Sequence, residues 1–166
     1  MKDIFKRKDI IVESIFNMLQ QYYFISDKNN IKTLYPRIPD NFMTKNGYED
    51  NITKRVCFST SIGGCLAALS MNCENKEFYV YQPVGKYKIY KPTKKQVPDC
   101  KITGEIWIKD KVDIKLIGKI LCHEAYEKPF KYKYGDNKSA ELYKWTWEWI
   151  EMYNMNRGDI NEFAGY

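Results

Sequence analysis

The strongest constraint on the fold is a repeat of two over residues 103–121. Glu105 and Trp107 take one set of alternate positions and Ile106 and Ile108 the other. After a polar break at Asp110, Val112, Ile114, Leu116 and Ile120 resume the alternation. Successive side chains of a pleated strand leave opposite faces, so this pattern suits half-buried β-structure and predicts a β-hairpin over 103–121. Residues 77–82 alternate as well, up to Pro83, and residues 87–91 resume the sheet after Gly85. The run Arg55-Val56-Cys57-Phe58-Ser59 reads as another short strand, and Thr33-Leu34-Tyr35 as a further one before Pro36. The β-rich centre therefore spans about 53–121.

Helical spacing marks both flanks. Ile11, Ile15, Met18, Leu19 and Tyr22 share one face of a helix expected over about 9–23, with Asp9 as its N-cap. Leu142, Trp145, Trp149 and Met152 or Tyr153 share a face of a helix expected over about 138–153, capped by Asn137 or Ser139. A third helix should start at Ser61, with Ile62, Cys65, Leu66 and Leu69 in register. Residues 26–52, punctuated by Pro36, Pro39 and Gly47, read as a long loop, and 128–137 as a basic loop carrying tyrosines. No repeat or linker divides the 166 residues, so the expectation is one α+β domain over 1–166. Hydrophobic and aromatic contents of 44% and 16% are enough for a packed core.

Five cysteines and one histidine narrow the chemistry. The odd cysteine count and the absence of Cys-x-x-Cys argue against a disulfide framework and against structural zinc. A Cys122–His123 nucleophile pair would need side chains that adjacent strand positions send to opposite faces. No segment approaches the roughly 18 continuous apolar residues of a membrane span, and the amphipathic rather than apolar stretch after the basic N-terminal residues leads to the expectation of no secretory leader. The expectation is a cytoplasmic chain with reduced thiols. The net charge of +6 favours phosphate-bearing partners without choosing among them, and an AT-rich coding sequence explains the lysine excess equally well.

Four features could carry function. Ser59-Thr60-Ser61 stands between a strand and a helix opening with Gly63-Gly64. The free N–H groups of such a helix start attract anions, although a serine there often does no more than cap. Glu105 follows Gly104 inside an alternating strand beside Trp107, where it is either a buried, poised acid or an edge residue facing solvent. Arg37, after the short strand, can grip a phosphate with its forked donors or can lie free on the surface. Lys86, Lys88, Lys91, Lys94, Lys95 and Lys101, interleaved with Tyr87 and Tyr90, suit single-stranded nucleic acid or a solvated face that discourages edge pairing.

Taken in order, Arg37, then Ser59-Thr60-Ser61, then Glu105 resembles the arginine, Ser-Thr-Ser, glutamate pattern of the ADP-ribosyltransferase superfamily. The stretch from Val56 to Leu69, followed by Tyr79-Val80-Tyr81-Gln82-Pro83, is loosely similar to the small rifamycin-inactivating members. The resemblance implies a split, mostly antiparallel β-core with NAD in its cleft. It implies that Arg37 contacts NAD phosphates or ribose and that Ser59, Thr60 and Ser61 shape the nicotinamide-ribose pocket. Glu105 would hold a ribose hydroxyl and stabilise developing positive charge. Tyr35 and Tyr81, inside the matching stretches, join the cofactor-binding candidates. The chain departs from the pattern at Thr103, where arginine-modifying members carry glutamate, and at Tyr35-Pro36-Arg37 in place of Tyr-Arg-Gly.

The leading expectation is thus an NAD-using, ADP-ribosyltransferase-like protein whose acceptor is a protein, a nucleic acid or a small molecule. Two other readings stand beside it. One is a non-catalytic inhibitor or nucleotide-sequestering protein of the kind mobile elements carry. The other is a nucleic-acid-binding module using Lys86–Lys101.

Overall fold

A computed structural model describes residues 21–69, 73, 75–134 and 138–153. The chain is a mixed α and β structure with antiparallel sheets. The strands are β1 (Phe24–Ser26), β2 (Thr33–Leu34), β3 (Val56–Ser59), β4 (Glu77–Val84), β5 (Ile89–Tyr90), β6 (Glu105–Ile108), β7 (Val112–Tyr134) and β8 (Lys138–Tyr153). Among the described residues three short helices interrupt them, α1 (Phe42–Lys45), α2 (Ile62–Ala68) and α3 (Cys100–Thr103). One sheet has the order β1-β4-β7-β2, with β8 also paired to β7, and the other the order β3-β6-β5.

Side-chain alternation decides how the sheets pack. On β3 and β6, Val56 pairs with Ile108 and Phe58 with Ile106, so four apolar residues point to one face. They meet Tyr81, Val112 and Ile114 of the larger sheet in a core that also takes in Tyr22. The opposite face of the larger sheet carries a second core. There Phe78, Val80, Ile120 and Cys122 pack with Cys65 and Leu66 of α2. Fully burying one such side chain contributes roughly 1.5–3 kcal/mol.

A register shift makes the two cores compatible with one strand. Tyr81 pairs with Leu116 and Val80 with Gly118, so Ile117 is an extra residue in β7. Val112, Ile114 and Leu116 face the inter-sheet core before this bulge, and Ile120 and Cys122 face α2 after it. An added residue inverts the parity of everything beyond it.

Several expectations need correction. Strands β6 and β7 do not form a hairpin. The link Lys109-Asp110-Lys111 carries the chain from one sheet to the other, so that Ile106 and Ile108 face Val112 and Ile114 across a core instead of lying beside them. Thr103 belongs to α3, and β4 runs through Pro83 to Val84. The expected C-terminal helix over 138–153 is a strand paired in register with β7, and most of the expected loop over 128–137 is part of that hairpin. The sequence there, Trp145-Thr146-Trp147-Glu148-Trp149, also fits a period of two. The N-terminal helix over 9–23 falls mostly outside the described residues. Its last three positions, Gln21 to Tyr23, are not helical, and Tyr23 bridges to Ser59.

The start of α2 is pressed onto the end of β3. A Cβ added at Gly64 would collide with the Thr103 carbonyl oxygen and with Ser59 Oγ. Overpacking of this kind costs about 1–3 kcal/mol. Gly64→Ala should therefore lower the urea midpoint by a corresponding amount with an unchanged m-value in equilibrium unfolding.

Candidate functional site

The face of the small sheet turned away from the inter-sheet core collects the residues of chemical interest. Cys57 pairs with Trp107 and Ser59 with Glu105. Arg55 precedes β3 by one residue and shares this parity. It is a buried cation, 1% exposed. Its Nη1 donates to the carbonyls of Asp50 and Thr53 at 2.9 and 3.0 Å. Its guanidinium lies 4.3 Å from the centre of the Trp107 ring, a cation–π contact in a desolvated setting. The Asp50 carboxylate stands 3.5 Å away, and Glu105 Oε1 is 4.0 Å from Nε.

Glu105 is held from the other side. Its Oε1 accepts a 2.6 Å hydrogen bond from Trp107 Nε1. Burial pushes its carboxyl above the ordinary glutamate value. Hydrogen bonds from Trp107 and Cys57 and the charge of Arg55 oppose that push, and Asp99 adds to it. Desolvation wins, so the group is a largely buried acid, its side chain 13% exposed, whose charge depends on the donors around it.

The Ser59-Thr60-Ser61 hydroxyls work mainly within the protein. Ser59 Oγ donates to the Thr103 carbonyl at 2.5 Å and accepts from the Ser61 N–H at 3.1 Å. Ser61 is the N-cap of α2, accepting from Gly64 N–H at 2.9 Å. Thr60 N–H donates to the Gly104 carbonyl at 3.1 Å, and Thr60 Oγ1 fills the place a Cβ on Gly104 would need. Gly104, at φ 61°, ends α3 and delivers the chain into Glu105. These contacts fasten β3, α2 and the start of β6 at one point.

A cavity of about 180 Å³ opens at that point. Ser59, Cys57, Thr103 and Glu105 provide its polar wall, and Phe24, Phe58, Cys65 and Leu69 much of its apolar wall. Sites that enclose whole drug-sized ligands run to roughly 300–1,000 Å³. This one has room for no more than a ring or a sugar, and a longer ligand would extend beyond it.

The structure therefore brings Ser59 and Glu105 together, with Thr60 beside them, and separates the other candidates. Arg37 exchanges backbone hydrogen bonds with Arg55, four residues before Ser59 on the chain, which is roughly 13 Å at strand rise. Its side chain is exposed. Tyr35 is 66% exposed, with Lys111 5.9 Å from its ring. Tyr81 is fully buried and donates its hydroxyl to the Lys28 carbonyl at 2.6 Å, which is a core role. Ser61 is an exposed cap. Lys86, Lys88, Lys91, Lys94, Lys95 and Lys101 are all exposed. Lys88 and Lys109 stand 5.3 and 4.1 Å from the ring centre of Tyr90 on the edge strand β5.

Sequence reasoning passed over Arg55 and Cys57. The available signal was the alternation Arg55, Cys57, Ser59, which puts them on one strand face with the Glu105–Trp107 pair opposite. The thiols are poor nucleophiles. Burial pushes Cys57 up and Cys65 and Cys122 to about 12, which counts against a Cys122–His123 couple. Among the described residues no group of three His, Cys, Asp or Glu side chains could hold a metal ion, and no helix is long and apolar enough to cross a membrane. No family model matches the chain, and neither a curated protein nor a solved structure matches it.

Alkylation of Cys65 and Cys122 at pH 8 should be slower in the native chain than in urea by on the order of a thousandfold, measured by mass spectrometry. Ser61→Ala should cost about 1 kcal/mol of stability through the lost cap, in chemical denaturation.

Proposed function

We propose that the chain is an ADP-ribosyltransferase-like protein that binds NAD with its nicotinamide-ribose end in the Ser59–Glu105 cavity. The observation that carries this reading is the direct cross-strand opposition of Ser59 and Glu105 on the wall of one cavity. The cavity suits the end of a dinucleotide in size, its apolar wall suits a heteroaromatic ring, and its carboxyl group is buried next to where a sugar would lie. NAD here is a consumed substrate, supplying an ADP-ribosyl group as nicotinamide leaves with the bonding electron pair.

The chain's own part is electrostatic. Glu105, ionised, accepts a hydrogen bond from a ribose hydroxyl and faces the positive charge that grows as the glycosidic bond breaks. A fixed carboxylate in a dry site stabilises that charge without reorganising. The apolar wall of the cavity flanks the ring and excludes water. Arg37, outside the cavity, has no part in the bond-breaking step. The split, mostly antiparallel β-core of the resembling family accords with two antiparallel sheets that share a core.

A second reading is a non-catalytic nucleotide-binding or inhibitor protein. The engagement of the Ser59 and Ser61 hydroxyls within the protein, and the distance to Arg37, favour it.

Calorimetry with NAD and a nicotinamide-release assay separate the two. The first reading expects binding and release, with Glu105→Gln lowering release about a hundredfold or more and Arg37→Ala leaving it within a few-fold. Binding without release supports the second, and the absence of both sinks the NAD site. The pH profile of release adds a signed expectation. Activity needs the carboxylate, and burial pushes the Glu105 carboxyl above the ordinary glutamate range, so the acid limb should sit above that range and activity should fall as pH drops through it.

A further inference from the structure

Arg55 is the least satisfied buried group among the described residues. Its Nη1 is used by two carbonyls, but Nε and Nη2 have no hydrogen-bond partner there. Buried donors without partners are costly, and an unpartnered pair of this kind calls for an explanation. Nε and Nη2 form the lateral edge of the guanidinium, the edge that receives a carboxylate with two parallel hydrogen bonds.

The nearest anion to that edge is Glu105, with Oε1 at 4.0 Å from Nε. That separation is too long for a hydrogen bond and too short to admit another atom between them. Trp107 touches both partners. Its ring lies under the guanidinium, and its Nε1–H holds the same Oε1. The remaining groups around the carboxyl are Cys57 on β3, and Asp99 and Cys100 at the start of α3, whose charge or dipoles act on it. Asp50 lies behind Arg55 at 3.5 Å, and Lys94 and Lys101 act on Cys100. Arg55 is thus the one cation next to Glu105 in this set, and its free edge has no other carboxylate so placed.

We infer that Arg55 is the positioning residue of the site: its buried, half-free guanidinium, 4.0 Å from the carboxylate, favours the charged form of Glu105 against the pull of burial and fixes its place between Trp107 and the cavity. Arg55 acts through Glu105 and touches no substrate. The inference deepens the NAD reading and rests on it for its bearing on catalysis. The electrostatic link itself does not need that reading. The direction of the link is set by charge. Loss of a neighbouring cation disfavours the carboxylate, so the Glu105 midpoint must rise when Arg55 is neutralised.

The test is a pH titration of the full chain by NMR, with ¹³C-labelled glutamate and ¹⁵N-labelled arginine and without any nucleotide. The Glu105 carboxyl signal is assigned by its loss in Glu105→Gln. Arg55 is one of four arginines, and its buried Nε–H is assigned by its loss in Arg55→Gln. In the wild-type chain the Arg55 ¹⁵Nε signal should move with the same midpoint as the Glu105 ¹³Cδ signal. In Arg55→Gln the Glu105 midpoint should rise, while in Arg37→Gln it should stay. An Arg55 signal that stays flat through the Glu105 transition overturns the inference, as does an unmoved Glu105 midpoint in a folded Arg55→Gln chain. Should Arg55→Gln fail to fold, the wild-type co-titration decides alone, with Arg55 then assigned by through-bond connectivity. A positive titration from a chain that does not turn over NAD leaves the Arg55 role intact and removes only the NAD reading.

Discussion

The pleat of β3 and β6 governs the rest of the molecule. Val56, Phe58, Ile106 and Ile108 must meet the larger sheet, because their burial supplies much of the inter-sheet core. With a repeat of two, that requirement sends Arg55, Cys57, Ser59, Glu105 and Trp107 to the opposite face together. One hydrophobic constraint therefore assembles the polar group, and no polar interaction is needed to bring its members into register. What the polar contacts add is a fixed arrangement, through the Trp107–Glu105 hydrogen bond and the Arg55–Trp107 stack.

This division explains what the sequence disclosed. Alternation within 77–82, 105–108 and 112–121, and the short run 55–59, correctly marked strands, while Thr103 went to a helix and the hairpin pairing did not form; the opposition of Ser59 and Glu105 lies within those strands. Alternation reports which face a residue takes, but not which strand lies beside it. The sequence of β6 and β7 is equally consistent with a hairpin and with two sheets facing each other. Residues 138–153 were harder, since Leu142, Trp145 and Trp149 fit a helical spacing while Trp145, Trp147 and Trp149 fit a period of two. Pairing with residues 119–134 decides between them, and a partner strand leaves no trace in local spacing.

Arg55 illustrates a different limit. A cation at the start of a short strand ordinarily reads as a solvated end. Its burial depends on carbonyls at Asp50 and Thr53, offered by a loop with no periodic signature, and on a tryptophan some fifty residues away in the chain. Arg37 had the more suggestive setting in the sequence and the less engaged one in the structure. Chemical type identified arginine as useful, and only three-dimensional placement distinguished the two.

The bulge at Ile117 has a consequence for how the domain comes apart. Strand β7 belongs to the inter-sheet core before it and to the core under α2 after it. The two cores therefore share an uninterrupted stretch of backbone instead of a linker. Neither can lose its register without dragging the parity of the other, so they are bound into a single cooperative unit even though their side chains lie on opposite faces of a sheet.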